Sequence, residues 1–174
     1  TKMKFPGARI VAFEPDPKNY ELLSKNVESF NLKDVILNNE AVWIDDTELS
    51  FAGTGTMSSK IDIDNSSGTI KTKAIRLKKL LDQNIDFLKL DIEGAEYLVL
   101  KDISEKLSNV EYLFIEYHGS FSHNKEFVEI LDLITQNGFH FYILEANPSY
   151  PTPFSRLNQK PPYDVQLNIF CFRD

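Results

Sequence analysis

Residues 87–96 read Phe-Leu-Lys-Leu-Asp-Ile-Glu-Gly-Ala-Glu. With Ile85 they form a mostly apolar run that stops at Asp91, Glu93, Gly94 and Glu96, and a helical pattern follows. An apolar run, an acidic turn holding one glycine, then a helix is how a buried parallel strand leaves its sheet at a ligand-binding edge. Residues 85–90 are therefore expected to be the central strand. A second such corner lies upstream, where residues 8–13 form a strand and Glu14-Pro15-Asp16-Pro17 opens the next helix. Both acidic corners are expected at one sheet edge, where a cofactor with a ribose or an amine would sit.

Composition narrows the classes. The chain has 174 residues, 42% hydrophobic and 26% charged, which suits one domain, residues 1–174, with a substantial core and argues against disorder. A formal charge of −7 disfavours a duplex nucleic acid or an anionic membrane as partner. No apolar run approaches the roughly 18–20 residues of a membrane span and no signal peptide is visible, so a cytoplasmic protein is expected. The single cysteine, Cys171, lies in the apolar run Ile169-Phe170-Cys171-Phe172 and reads as a buried strand thiol.

Along the chain, Asp16 is placed to cap a helix and Pro17 to occupy its first turn. Tyr20, Leu22, Leu23, Val27 and Phe30 carry that helix to about Asn31, and a strand follows at 35–37, as in a crossover unit. Segments 43–51 and 70–75 read as short, partly wet strands. Between them Gly53, Gly55 and neighbouring hydroxyls form either a backbone anion cradle or, more simply, a hairpin insertion. Leu77, Leu80 and Leu81 mark a short helix. After Glu96 an apolar helical face runs through Leu98, Val99, Ile103 and Leu107, and 110–117 is a further parallel strand. Phe127 to Ile134 forms a helix stopped by Asn137-Gly138, and 139–144 is a strand. Residues 146–162 hold five of the eight prolines and read as a surface excursion. Residues 165–172 form the last strand, antiparallel at or near the edge. The expected fold is α/β, Rossmann-like, with a mostly parallel sheet covered by helices on both faces.

Several side chains could carry chemistry. Glu14 at a strand end can accept both ribose hydroxyls, or serve only as a solvated acid. Pro15 offers a flat face to an adenine, and Asn39, Glu40 and Ala41 end the neighbouring strand. Asp91, Glu93 and Glu96 crowd three carboxylates into six positions, so a cofactor ammonium, a metal or Lys89 is expected among them. Acids in a helix's first turn also suit its dipole. Glu116 and His118 share one side of their strand; His118 could take a proton from a substrate hydroxyl, ligate a metal, or simply pack. There is no cysteine–histidine zinc pattern, Walker loop or serine elbow, and no metal site is assigned.

These residues resemble a known family. Ile10-Val11-Ala12-Phe13-Glu14-Pro15-Asp16-Pro17, with Leu22 or Leu23 and Asn26, is similar to the second-strand motif of the FkbM-type methyltransferases. Residues 85–96 with Leu100 resemble that family's most specific signature, residues 75–81 the segment before it, and Ile115-Glu116-Tyr117-His118 the next strand end. The resemblance covers residues 6–141 in the family's order. It implies a class I S-adenosyl-L-methionine-dependent methyltransferase fold and O-methylation of a sugar or small natural-product hydroxyl. It further implies that Glu14 binds the cofactor ribose, Glu40 and Ala41 lie by the adenine with Pro15, and Asp91 lies near the methionine end. His118 is the candidate base, with Glu116 or Glu93 orienting it or holding a cation.

One departure follows. Members place a strand and a glycine-rich loop before the Glu14 strand, whereas only 13 residues precede Glu14 here and none form that loop. The expectation is a chain lacking its first strand, with a slot between strands 8–13 and 85–90. That slot would be filled by a preceding segment or another chain, a homo-oligomer included. The competing expectations are a catalytically incomplete fragment with a binding or structural role, and a dinucleotide enzyme that uses Glu14 for NAD.

Overall fold

The computed structural model describes residues 2–52, 60–61, 70–147, 150, 154 and 161–174. They fall into two compact units, Thr1–Ile75 and Arg76–Asp174. The loop at Gly53 and Gly55, and Arg156 of the proline-rich excursion, lie outside the described residues.

The first unit opens with β1 (Ile10–Phe13), α1 (Pro17–Ser29) and β2 (Val35–Asn38). β1 and β2 pair in parallel, Ile10 opposite Val35 and Phe13 opposite Asn38, so α1 is the expected crossover helix. Asp16 caps α1 by accepting the amides of Lys18 and Asn19, and Pro17 takes the first turn, as the sequence implied. Asn31 ends the helix in the left-handed region at φ 48°. The strand expected at 8–13 is shorter and not buried on both faces: Val11 is 46% exposed and Ile36 43%. A two-stranded ribbon with one helix does not enclose both of its faces. β3 (Ala41–Trp43), β4 (Thr47–Ala52), β5 (Lys60–Ile61) and β6 (Ile70–Arg76) form a second sheet in the order β3-β6-β4-β5. The single strand expected at 43–51 is thus two, broken at Ile44–Asp46.

The second unit holds β7 (Ile85–Leu90), α2 (Glu96–Ile103), β8 (Val110–Gly119), α3 (Asn124–Gln136), β9 (His140–Glu145) and β10 (Val165–Phe172). Its sheet runs β7-β8-β10-β9. β7 and β8 pair in parallel, and β10 is antiparallel to both β8 and β9, so β9 runs in the direction of β7 and β8 with β10 reversed between them. The mostly parallel sheet expected from the sequence is therefore a set of mixed sheets. β7 is not central within its sheet but terminal, whereas β10 is antiparallel and one strand in from the edge, in line with the expectation. A strand that follows its neighbour without a crossover helix must return antiparallel, and 146–162 supplies no such helix among the described residues.

Alternation along β8 explains the layering. Leu113, Ile115 and Tyr117 are buried on the side of α2 and α3, where Tyr117 packs 5.0 Å from Phe127. Val99, Leu100 and Ile103 of α2 and Ile130 and Ile134 of α3 are wholly enclosed. Each such side chain contributes about 1.5–3 kcal/mol. The opposite face is not covered as expected: Phe87, Tyr112, Tyr142 and Leu144 are each about half exposed. Cys171 is buried, and burial pushes its thiol up to about 12. Among the described residues no helix is long and apolar enough to cross a membrane.

Candidate functional site

The turn between β7 and α2 is built on two left-handed residues, Glu93 at φ 56° and Gly94 at φ 101°. For Glu93 that conformation costs about 1–2 kcal/mol. A Cβ at Gly94 would stand 3.6 Å from the Tyr163 ring, so φ rather than space demands glycine. The turn is held from within by Glu96. Its carboxylate, 1% exposed, accepts the amide of Ile92 at 3.1 Å and that of Gly94 at 3.0 and 3.2 Å. It is held from without by Tyr163, whose hydroxyl donates to the Glu93 carbonyl at 2.9 Å and to Glu93 Oε2 at 3.0 Å.

His118 enters this turn from the end of β8. Its side chain is 4% exposed, its ring centroid lies 4.7 Å from that of Tyr163, and its Nδ1 lies 3.1 Å from Glu96 Oε1. Because the Glu96 carboxylate can only accept, the network assigns the proton of a neutral imidazole to Nδ1. Nε2 then faces Glu93 Oε2 at 3.8 Å and Glu116 Oε1 at 3.9 Å. Burial works against the imidazolium, but the Glu96 bond and the charges of Glu93 and Asp91 outweigh it and raise the His118 pKa. Glu116 is also raised, first by burial and then by Asp91. Asp91 pairs with Lys89 at 3.0 Å, one of the partners expected. One ligand atom each from Asp91, Glu93 and His118 lies within 4.8 Å of the others.

The structure thus brings together Asp91, Glu93, Glu116 and His118. Two contributors were not assigned their part. Glu96, rather than Glu116 or Glu93, bonds the imidazole. A signal was present, since Glu96 falls on the buried stripe of Val99, Leu100 and Ile103 at helical spacing. A carboxylate on an apolar stripe needs a partner. Tyr163 arrives from 70 positions away and leaves no local trace. Beside it, Asp164 accepts the Phe121 amide at 3.0 Å and the Tyr150 hydroxyl at 2.6 Å, and Tyr150 stacks on Phe121. Tyr150 is therefore anchored near the end of β8, whereas Phe154 is 99% exposed.

In the first unit Glu14 follows β1 with its amide bonded to the Asn38 carbonyl, and its Oε1 accepts the Asp16 amide at 2.9 Å. Asn39 donates to the carbonyls of Glu14 and Pro15 at 2.8 and 3.3 Å. Glu14, Pro15 and Glu40 are half-buried; Ala41 begins β3 and is 2% exposed, so its side chain is packed away.

A family model described as the methyltransferase FkbM domain matches residues 1–141. No curated protein matches the chain. Among solved structures, the methyltransferase FkbM of Methylobacillus flagellatus KT aligns with TM-score 0.57 at 14% identity. That alignment covers 92% of this chain and 36% of the other, so the chain spans about a third of that relative's length. The putative rRNA methylase of Clostridium thermocellum aligns with TM-score 0.48 at 16% identity over 94% of this chain and 72% of its own. The precorrin-6y C5,15-methyltransferase of Geobacter metallireducens GS-15 aligns with TM-score 0.46 at 12% identity, over 97% and 69%.

Proposed function

Because this chain belongs to the FkbM methyltransferase family, we propose that it takes part in S-adenosyl-L-methionine-dependent methylation of a hydroxyl on a sugar or small natural product. S-adenosyl-L-methionine, when bound, supplies an electrophilic methyl group. The residues present suit such a group. Glu14 is a half-buried acid at the carboxyl end of a parallel strand, the position from which an acid reaches a ribose. Glu40 and Pro15 offer exposed surface for an adenine, with Ala41 contributing backbone only.

The observation that carries the reading is the His118 arrangement. A buried imidazole whose Nδ1 is bonded to a buried carboxylate, with Nε2 turned toward Glu93 and Glu116, can hold a hydroxyl and receive its proton. In methyl transfer the hydroxyl oxygen forms the new bond to carbon, the carbon–sulfur pair stays on sulfur, and the hydroxyl proton passes to this cluster. Placement supplies most of the acceleration. Calorimetry with S-adenosyl-L-methionine tests the cofactor; binding at tens of micromolar or tighter is expected, with Glu14→Ala weakening it at least tenfold. A hydroxyl-acceptor panel read by S-adenosyl-homocysteine release tests the reaction. Turnover that persists within a few-fold in both His118→Ala and Glu116→Gln across pH 6–9 would remove the cluster from the chemistry.

A further inference from the structure

We propose that Asp91, Glu93 and His118 bind a divalent cation of the manganese(II) type, on which the acceptor hydroxyl is held. The proposal rests on the reading that this strand edge is the acceptor site. Two observations support it. The first is convergence: a carboxylate oxygen of Asp91, one of Glu93 and an imidazole nitrogen of His118 lie within 4.8 Å of one another. Ligands held about 2.0–2.3 Å from one ion stand about 3 Å apart when adjacent and about 4–4.5 Å apart when opposite. An ion would close the observed span by drawing these side chains in by a few tenths of an ångström.

The second is the state of His118. Its side chain is 96% buried, yet among the described residues its Nε2 has no hydrogen bond. The nearest polar atoms are Glu93 Oε2 at 3.8 Å and Glu116 Oε1 at 3.9 Å, both beyond hydrogen-bond reach. A ring nitrogen on a side chain only 4% exposed, without a hydrogen bond and facing two carboxylates, is placed as a ligand nitrogen is. Its other nitrogen is bonded to Glu96, the carboxylate–histidine arrangement that fixes a ligand's tautomer. Two carboxylates and one imidazole form an oxygen-rich set suited to manganese(II) and leave coordination positions open.

In the loaded protein the acceptor hydroxyl takes an open position on the ion, which makes its proton easier to remove. Glu116, beside the site but outside the ligand set, receives that proton as the oxygen–carbon bond forms and the carbon–sulfur bond breaks. No oxidant or reductant is involved.

The test uses the 174-residue chain, stripped with chelator, with neither methyl donor nor acceptor present. Manganese(II) is titrated in and free ion is read by electron paramagnetic resonance. One ion per chain is expected, with Asp91→Asn and Glu93→Gln each weakening binding at least tenfold. Both substitutions keep the Glu96–His118 bond, so circular dichroism and the unfolding midpoint should stay near those of the parent. His140→Ala, at an exposed histidine paired with Asp174, should bind as the parent does. No binding up to millimolar manganese, or equal binding by Asp91→Asn, Glu93→Gln and the parent, overturns the site. Turnover indifferent to chelator, with no ion bound, also overturns it but leaves the methyltransferase reading standing. Site-specific binding without methyl transfer to any acceptor supports the site and overturns that reading.

Discussion

Glu14–Asp16 after β1 and Asp91–Glu96 after β7 look alike as sequence and are built in opposite ways. In the first corner the hydrogen bonds between described residues run to near neighbours or to the adjacent strand end. Asp16 caps its own helix, Glu14 accepts the amide two residues on, and Asn39 reaches across from the end of β2. In the second corner the backbone is left-handed at two successive residues. It is kept there by a buried carboxylate, a buried histidine 22 positions away and a tyrosine 70 positions away. A corner held by local bonds tolerates loss of any one of them. A corner held by a buried network does not, because each removed partner strands another polar group.

The largest expected effect is therefore Glu96→Ala. It leaves two turn amides and His118 Nδ1 without their acceptor in an enclosed place. We expect roughly 3 kcal/mol of lost stability, read from the urea midpoint. Glu96→Gln keeps one acceptor oxygen but brings an NH2 group toward amide donors, and should lose roughly 2 kcal/mol. A loss under 0.5 kcal/mol for Glu96→Ala would mean that the buried network does not hold the turn. Gly94→Ala comes next. Space is available for the methyl, so the cost is conformational, about 1–2 kcal/mol, and no neighbouring truncation should relieve it.

The same contrast governs what could be read in advance. Asp16 as cap, Pro17 in the first turn, the α1 crossover and the stop at Asn137-Gly138 all depend on neighbours in the chain, and each is visible as a pattern of a few residues. The alternation of strands and helices was equally plain, and so were the acids and the histidine at the strand ends. The antiparallel direction of β10 was expected as well. Strand order was not legible, because which strands flank β7 and β10 is decided by tertiary packing rather than by near neighbours in the chain. Tyr163 was invisible for the same reason: its hydroxyl serves a turn that only tertiary folding brings near. Glu96 could have been found, because it interrupts an apolar stripe, but first-turn acids are common enough at helix starts to hide it.

Asp16→Ala measures the local corner. Asp16 is itself only 6% exposed, but the Lys18 and Asn19 that it caps reach the surface, so losing the cap should cost about 1 kcal/mol. Sequence distance and burial are separated by Arg76 and Asp102, which are 26 positions apart but reach water: the Arg76 side chain is 38% exposed. The Arg76 bond holds the Asp102 carboxyl below its ordinary value, against a smaller opposing effect of burial. A depressed folded pKa gives stability that is present above the unfolded value near 4 and lost as pH falls through the folded one. Asp102→Asn should then cost under about 1 kcal/mol at pH 7, because solvent screens the pair, and progressively less as pH falls below the unfolded value near 4. A cost near that of Glu96→Ala would make sequence distance, not burial, the source of fragility.

The smallest effect is expected from Asp16→Asn, and it tests the comparison most finely. Asp16 works through one oxygen, Oδ1, which accepts the Lys18 and Asn19 amides at the start of α1. Asparagine keeps such an oxygen and ranks with aspartate as a cap. What it loses is a charge next to the positive end of the helix dipole, worth about 0.3–1 kcal/mol at low salt and less when screened. The change should therefore cost a few tenths of a kcal/mol at low ionic strength and less as salt rises, without vanishing, because Asp16 is only 6% exposed. Glu96→Gln should show no such salt dependence, because its cost comes from mispaired donors shielded from solvent. If Asp16→Asn instead cost as much as Glu96→Gln and did so at every salt concentration, the first corner would also have to be a buried network. The claim that the two corners are held by different kinds of bond would then fail.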